Sequence, residues 1–146
     1  MSNDEGSISV EIHDHVLLIG LNRLEKYNGI TPKMSAELVS AYTQLDEDDD
    51  LRVGVLFGHG DHFTAGLDLP KWTERMERND RPSSKENSKV DPFGFGRSCR
   101  KPIVTAVHGI TYTFGIEVAL AGDIIIAADD CRFSQLEPAR GIHATG

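Results

Sequence analysis

The chain has 146 residues, of which 39% are hydrophobic and 26% charged, a composition that suits one domain with a substantial apolar core. Its net charge of -8 argues against a general nucleic-acid binder, because such proteins need a basic surface to displace counterions from phosphates. Residues 1–6 resemble no signal peptide, and the longest apolar run, residues 124–128, is too short to cross a bilayer. We therefore expect a cytoplasmic protein with no nucleic-acid or membrane partner.

A hairpin and a long helix are predicted in the first third of the chain. Residues 8–12 alternate apolar and polar side chains, and the apolar residues 16–19 follow a polar turn, which is the pattern of two paired strands. Thr31 followed by Pro32 predicts a helix start, with a hydroxyl N-cap and a ring already set at a helical φ. The helix is expected over residues 32–45, where one apolar stripe recurs at helical spacing. The stripe consists of Met34, Leu38, Ala41, Tyr42 and Leu45.

The rest of the chain alternates strands with helices, which indicates the α/β class. Apolar runs predict strands at residues 53–57, 103–107 and 124–128, with a fourth candidate at residues 132–134. Residues 114–121 predict a buried helix, because their side chains are apolar nearly all round. We also expect a short helix over residues 91–101 and a loop over residues 109–113. Residues 73–90 are charged and poor in apolar side chains, so a frayed helix followed by a mobile loop is expected there.

Two glutamates are candidates for acid–base chemistry. Glu117 lies in the otherwise apolar helix, where a carboxylate is rarely buried without a partner. Glu137 follows the last strand candidate. Two carboxylates in one dry pocket can divide acid and base roles when their surroundings favour different protonation states. The alternatives are a buried salt bridge from Glu117 to an arginine and a plain surface position for Glu137.

Two glycine-containing turns are candidates for an anion-stabilising site. Residues 65–68 (AGLD) follow an apolar strand, and residues 113–115 (TFG) open the buried helix. Glycine permits close approach of the backbone, and amides at a helix N-terminus are left unpaired. Two such amides aimed at one point would stabilise the charge that develops on a carbonyl oxygen. The alternative is two ordinary turns, with Asp68 acting as a helix N-cap.

From about residue 16 to residue 146, the chain resembles the enoyl-CoA hydratase/isomerase (crotonase) family in the order and spacing of several motifs. Residues 62–69 (HFTAGLDL) resemble the first oxyanion segment of that family, and residues 101–109 (KPIVTAVHG) resemble the strand before the second. Residues 115–123 (GIEVALAGD) and 131–137 (CRFSQLE) resemble the helix and the segment that carry the family's two catalytic glutamates. The resemblance implies a crotonase-like spiral of repeated ββα units.

The resemblance also implies roles for individual residues. The backbone N–H groups of Leu67 and Phe114 would form an oxyanion hole for a thioester carbonyl, and Glu117 and Glu137 would be the catalytic pair. The residues implied in binding the substrate or its coenzyme A part are Arg23, Lys26, Ala65, Gly66, Asp68 and Gly115. Arg23 and Lys26 are the candidates for the coenzyme A phosphates, although solvated loop charges are an equally good interpretation of both.

The implied activity is the addition of water across the double bond of a trans-2-enoyl-CoA. Coenzyme A would be part of the substrate, with no tightly bound cofactor, and the family implies a homotrimer or hexamer. One alternative is enoyl-CoA isomerisation or acyl-CoA thioester hydrolysis on the same fold. Another is a non-catalytic acyl-CoA binder or an inactive fragment. No metal is expected, because a polar hairpin turn explains His13 and His15 and no third ligand is placed by spacing.

Two features depart from the family pattern. Thr113 and Phe114 stand where members often have glycine, so the phenylalanine ring is expected to narrow the acyl pocket or shift its own amide. The chain also stops at Gly146, where typical members continue for as much sequence again. Residues 1–146 are therefore interpreted as a partial crotonase-like domain, the N-terminal portion, without the C-terminal part of the core and the helical tail. Apolar surface that packs on the missing part is expected to be exposed.

Overall fold

Strands and helices alternate along the chain, as the sequence predicts. The computed structural model describes residues 4–78 and 88–141. In chain order the elements are β1 (Ser7–His13), β2 (Val16–Asn22), α1 (Pro32–Glu47), β3 (Val53–Gly58), α2 (Leu69–Glu77), β4 (Ile103–Val107), β5 (Ile110–Tyr112), α3 (Phe114–Leu120), β6 (Ile124–Ala127) and β7 (Arg132–Ser134). Single-turn helices lie at Leu24–Lys26 and Pro138–Arg140. Among the described residues, no helix combines the length and apolar character needed to span a bilayer.

Five strands form one sheet in the order β1-β2-β3-β4-β6. β1 and β2 make the antiparallel hairpin that the alternating sequence predicts, and the remaining neighbours pair in parallel. β5 and β7 form a separate two-stranded parallel sheet. Because parallel strands need a crossover connection, the helices between them follow directly from this topology. The two strands of the small sheet directly precede the segments that carry Glu117 and Glu137.

The core lies between the large sheet and α1. Thr31 caps the helix, since its Oγ1 accepts a hydrogen bond from the Met34 N–H at 3.2 Å. The apolar stripe predicted for α1 is buried, and it packs with strand residues whose side chains have almost no exposed surface. These strand residues include Leu17, Ile19, Leu21, Leu56 and Ile103. The predicted start and stripe are therefore confirmed, and the helix ends at Glu47, two residues beyond the predicted Leu45.

Asp46 is an acidic residue that α1 buries near its C-terminal end. Its carboxylate accepts hydrogen bonds from the Arg100 N–H at 2.7 Å, from Arg100 Nε at 3.1 Å and from Arg97 Nη2 at 2.6 Å. The side-chain hydrogen bond from Arg100, then its backbone N–H and then Arg97 hold the pKa of Asp46 well below its usual range. This cluster fastens the segment before β4 to the helix.

Asp46→Asn is expected to lower the free energy of unfolding by about 2 kcal/mol near neutral pH, because it removes charged hydrogen bonds from a buried carboxylate. Both arginines are partly exposed and regain water, which keeps the loss moderate. Since folding lowers the pKa of Asp46, its stabilisation is present above the unfolded carboxyl pKa of about 4 and is lost as the pH falls below it. Urea unfolding from about pH 2 to pH 7 measures both effects.

The exposed Asp49 provides the control for this substitution. Asp49→Asn should leave both the stability at neutral pH and its decline in acid unchanged. If Asp46→Asn unfolds at the wild-type urea concentration throughout the pH range, the cluster does not stabilise the fold.

The structure differs from the predictions for two connecting segments and describes only part of a third. Residues 109–113 are not all loop, because Ile110–Tyr112 forms β5. Residues 91–101 form turns rather than a helix, and the Asp91 carboxylate accepts hydrogen bonds from backbone N–H groups of that segment. Over residues 73–90, where a frayed helix and then a mobile loop are predicted, α2 does continue to Glu77, and Val90 at the far end is fully buried. The predicted mobility falls largely on residues 79–87, which lie outside the described residues.

Apolar side chains are exposed on α3, β6 and β7. Leu120, Ile124, Ile125, Ile126 and Phe133 are 69%, 56%, 42%, 60% and 54% exposed, respectively. β6 is an edge strand of its sheet, and all four of its residues are exposed. These elements therefore expose apolar surface, while its packing on a further part of the fold stays a prediction. The prediction that α3 is buried all round is wrong, because only one side of this helix is covered.

Candidate active site

The two predicted oxyanion segments run side by side in parallel. Thr64 donates its N–H to Ile110 O, and Tyr112 donates its N–H to Thr64 O, both at 3.0 Å, so that Thr64 pairs with Thr111. Two residues further along, Gly66 lies against Thr113, and a Cβ on Gly66 would collide with the Thr113 hydroxyl oxygen. Leu67 and Phe114 each follow this contact directly in the chain.

The N–H groups of Leu67 and Phe114 are both left without an acceptor. Where Ile30 meets Leu67, the hydrogen bonds run from Ile30 N to Gly66 O and from Asp68 N to Ile30 O, so the Leu67 N–H is not used. Phe114 is the first residue of α3, and amides in the first turn of a helix have no intrahelical acceptor. Within residues 4–78 and 88–141, neither N–H has a hydrogen-bond partner. Both donors are therefore available to bind a ligand oxygen.

The two turns reach this arrangement through unusual backbone conformations. Gly66 has a φ of +104°, which is in the region that favours glycine. Thr113 has φ 47° and ψ -111°, a conformation that costs a β-branched residue on the order of 1–3 kcal/mol. The Thr113 N–H is held by Ser134 O at 3.0 Å. The strain lies directly at the free Phe114 amide.

The ring of Phe114 packs in the core. The residue is 4% exposed, and its ring meets the ring of Phe93 edge to face, with centroids 5.0 Å apart. The side chain that replaces a glycine therefore points into the protein interior beside Phe93. Its backbone N–H remains at the start of α3, unpaired by any described residue.

Glu117 and Glu137 lie on the segments that follow the paired strands β5 and β7. Because these strands are parallel, the two segments leave the small sheet at the same edge. Gln135 Nε2 donates to Glu117 Oε1 at 3.4 Å, so the described contact of Glu117 is with an amide rather than with an arginine. Glu137 is half-buried, and its Oε2 is buried without a partner among the described residues. Such an oxygen is unusual, since buried polar atoms are normally hydrogen-bonded.

A profile of the enoyl-CoA hydratase/isomerase family matches residues 11–146. The chain belongs to this family. Among its relatives, mevalonyl-coenzyme A hydratase SIDH of Beauveria bassiana is 33% identical over 89% of this chain and 49% of that protein. (E)-benzylidenesuccinyl-CoA hydratase of Thauera aromatica is 30% identical over 89% of this chain and 50% of its own length.

Solved structures agree with this assignment. A probable enoyl-CoA hydratase/isomerase from Mycobacterium abscessus is 40% identical with a TM-score of 0.85, over 94% of this chain and 52% of that one. Enoyl-CoA hydratase EchA1 from Mycobacterium marinum is 34% identical with a TM-score of 0.78, over 96% of this chain and 53% of that one. The fold is therefore the crotonase-like α/β fold, and the chain spans about half the length of the relatives and structures that it matches.

Arg23 and Asp68 are placed as structural partners, which corrects their predicted coenzyme A role. The Arg23 side chain is 3% exposed, and its Nη1 donates to Asp68 Oδ2 at 2.7 Å and to Gly29 O at 3.0 Å. Its Nε donates to Asp4 O at 2.7 Å. Asp68 also caps α2, because its Oδ1 accepts from the Lys71 N–H at 3.3 Å. A guanidinium that is buried and already bonded on several sides cannot reach a phosphate in solvent.

Of the remaining residues predicted to bind the substrate, Lys26 is exposed and Gly115 is buried. Lys26 is exposed on the single-turn helix after β2, so it stays the candidate for the coenzyme A phosphates. The Ala65 N–H donates to Tyr27 O at 2.9 Å, which joins that loop to the glycine turn. Gly115 is buried, and a Cβ there would come within 2.7 Å of Thr64 Cγ2. Its small size therefore allows the close packing of α3, and its role in substrate binding stays a prediction.

Asn28 organises the site, a role that the sequence does not predict for it individually. Its Oδ1 accepts from the Arg23 N–H at 2.7 Å, and its Nδ2 donates to His59 O at 2.9 Å and His62 O at 2.8 Å. Its carbonyl oxygen accepts from Thr64 Oγ1 at 2.7 Å. The available signal was an Asn–Gly pair between two apolar segments, which marks a turn but does not reveal its distant partners.

Proposed function

We propose that this chain carries the oxyanion hole and the glutamate pair of an enoyl-CoA hydratase, which adds water across the double bond of a trans-2-enoyl-CoA. The observation that supports this most directly is that the N–H groups of Leu67 and Phe114 have no partner among the described residues, and that each directly follows the contact between Gly66 and Thr113. The half-buried Glu137, whose buried Oε2 has no partner among the described residues, follows the strand that pairs with β5. Relatives named as hydratases support the class of reaction.

The two N–H groups would act on the thioester carbonyl. As the water oxygen bonds to the β-carbon, the electron pair of the double bond moves toward the carbonyl, whose oxygen becomes an enolate. The N–H groups of Leu67 and Phe114 would donate hydrogen bonds to this oxygen in the bound thioester, and stronger ones in the enolate. In known enzymes, the loss of one such donor costs about 2.7–4 kcal/mol of transition-state stabilisation.

The two carboxylates would transfer the proton between the water and the α-carbon. Glu137 Oε2, which has no partner in the described part of the chain, would accept a proton from water, and the amide of Gln135 would orient Glu117. The proton that leaves the water is balanced by the proton that returns to the α-carbon, so the pair is regenerated in each cycle. No further reactant is consumed.

Coenzyme A would enter as part of the substrate rather than as a resident cofactor. Lys26 is exposed on the loop whose neighbour Tyr27 accepts the hydrogen bond from Ala65. A flexible ammonium group at this position suits a phosphate contact at the solvent end of the substrate.

Glu137→Gln tests the proposal. The purified chain is mixed with a short trans-2-enoyl-CoA, and the loss of enoyl-thioester absorbance is followed. Because the amide keeps the shape of the side chain but cannot take a proton, turnover should fall by at least about 100-fold while the fold survives. Glu11→Gln, which changes an exposed carboxylate on β1, should retain wild-type turnover.

Other results would point elsewhere. Unchanged turnover in Glu137→Gln would exclude the proposed role of this residue. A shift of the double bond without uptake of water would identify an isomerase. A folded chain that binds the thioester without turning it over would be an acyl-CoA binder.

A further inference from the structure

Thr113 brings a hydroxyl group to the place where the two oxyanion segments meet. It immediately precedes Phe114, and its Oγ1 lies so close to Gly66 that a Cβ added there would collide with it. Gly66 in turn immediately precedes Leu67. The hydroxyl therefore belongs to the residue that precedes one N–H group without a described partner and lies against the residue that precedes the other.

The backbone of Thr113 is held on both sides, whereas its hydroxyl is not. The N–H donates to Ser134 O at 3.0 Å, and the carbonyl accepts from the Glu117 N–H at 3.1 Å. No residue in the described ranges forms a hydrogen bond with the Thr113 hydroxyl. By contrast, Thr31 donates its hydroxyl to Glu5 O at 2.8 Å and Thr64 donates its own to Asn28 O at 2.7 Å.

Threonine is conformationally strained at this position. A φ of 47° with ψ -111° is easily adopted by glycine, whereas a β-branched side chain is strained there. Threonine has a restricted χ1, so the strained backbone also limits the directions that its hydroxyl can take. An outlier of this kind beside two free amides points to a role for the side chain in the site.

We propose that the Thr113 hydroxyl is a third hydrogen-bond donor to the thioester oxygen, beside the N–H groups of Leu67 and Phe114. This inference rests on the proposed function. The hydroxyl keeps its proton and donates it in a hydrogen bond, so it stabilises the developing enolate without a covalent step. Because its position is fixed before the reaction, the donor needs little reorganisation as the charge forms.

The carbonyl stretching frequency of a bound thioester tests this directly, because each hydrogen bond to the oxygen lowers it. Isotope-edited infrared spectra are recorded with a saturated acyl-CoA that carries a ¹³C-labelled carbonyl, so the readout does not depend on turnover. The wild-type chain should shift the band to lower frequency. Thr113→Val keeps the branched shape but should lose part of the shift, whereas Thr113→Ser should keep it.

Thr113→Gly separates a chemical role from a structural one. Glycine relieves the backbone strain, so this variant should unfold at a higher temperature than the wild type. It lacks the hydroxyl, so it should lose the same part of the carbonyl shift as Thr113→Val. With an enoyl-CoA, both variants should lose about 100-fold in kcat, the lower end for one oxyanion donor, with KM nearly unchanged. Thr113→Ser should restore kcat.

The outcomes separate the proposed third donor from the proposed oxyanion hole. A wild-type carbonyl shift in both Thr113→Val and Thr113→Gly would overturn the third donor and leave the proposed function standing. Loss of the shift in Thr113→Ser as well would show that shape rather than the hydroxyl matters, and would also overturn it. A wild-type chain that does not bind the thioester, or binds it with no carbonyl shift, would overturn both the third donor and the proposed oxyanion hole.

Discussion

Gly66→Ala will reduce turnover of an enoyl-CoA by at least about 100-fold, because it disturbs the turn that presents the Leu67 N–H. Gly66 has a φ of +104°, and an added Cβ would collide with Thr113 Oγ1. Either the turn at Leu67 or Thr113 must move, and each movement displaces a proposed oxyanion donor. The strained backbone should also lower the free energy of unfolding by about 1–3 kcal/mol. Steady-state kinetics and urea unfolding measure the two effects.

Gly94→Ala is the matched control for this substitution. Gly94 also has a positive φ, of +74°, but the nearest atom to its added Cβ is Ser98 Oγ at 3.9 Å. It therefore bears the conformational cost without the collision and should keep wild-type turnover. In the double variant Gly66→Ala with Thr113→Gly, the collision is removed, so part of the lost stability should return. If Gly66→Ala keeps full turnover, the turn does not position a catalytic donor.

The first helix was predictable because local chemistry and tertiary packing agree there. Thr31 caps it and the apolar stripe faces the sheet, as the spacing indicates. Its end could not be predicted, because Asp46 is buried by Arg97 and Arg100 from a segment about fifty residues away. A buried acid paired with distant arginines looks, in the sequence alone, like part of an acidic connector.

The wrongly predicted segments depend on partners that are far away in the chain. β5 is only three residues long, and its hydrogen bonds go to Thr64 and to β7. The segment over residues 91–101 is organised around the carboxylate of Asp91. Neither segment has a periodic pattern of its own, so local propensity gives no reliable signal.

In the candidate site, too, some residues could be predicted from local sequence and others could not. The free amides of Leu67 and Phe114 lie at turns whose glycines and helix start are visible in the sequence. The charged ligands were harder to predict, because the sequence does not distinguish a solvated arginine from a buried one. Arg23 and Lys26 stand three residues apart on the same loop, yet only Lys26 is exposed.

Arg23→Met will destabilise the fold without selectively affecting the coenzyme A part of the substrate. Arg23 connects Asp4, Gly29 and Asp68 from a position where its side chain is 3% exposed. The substitution leaves the partly buried Asp68 carboxylate without its counter-charge, so the free energy of unfolding should fall by about 3 kcal/mol, the lower end for a broken buried pair. Urea unfolding and kinetics on both an enoyl-CoA and the corresponding enoyl-pantetheine, which lacks the nucleotide phosphates, separate the two roles.

Lys26→Met is the comparison that decides which residue contacts the phosphates. Because Lys26 is exposed, its loss should leave the urea midpoint unchanged, raise KM for the enoyl-CoA and leave KM for the enoyl-pantetheine as it was. Arg23→Met should instead affect both substrates alike, since Asp68 adjoins the donor Leu67 and caps α2. A stable Arg23→Met variant that loses affinity for the coenzyme A thioester alone would return Arg23 to the substrate site and contradict its structural role.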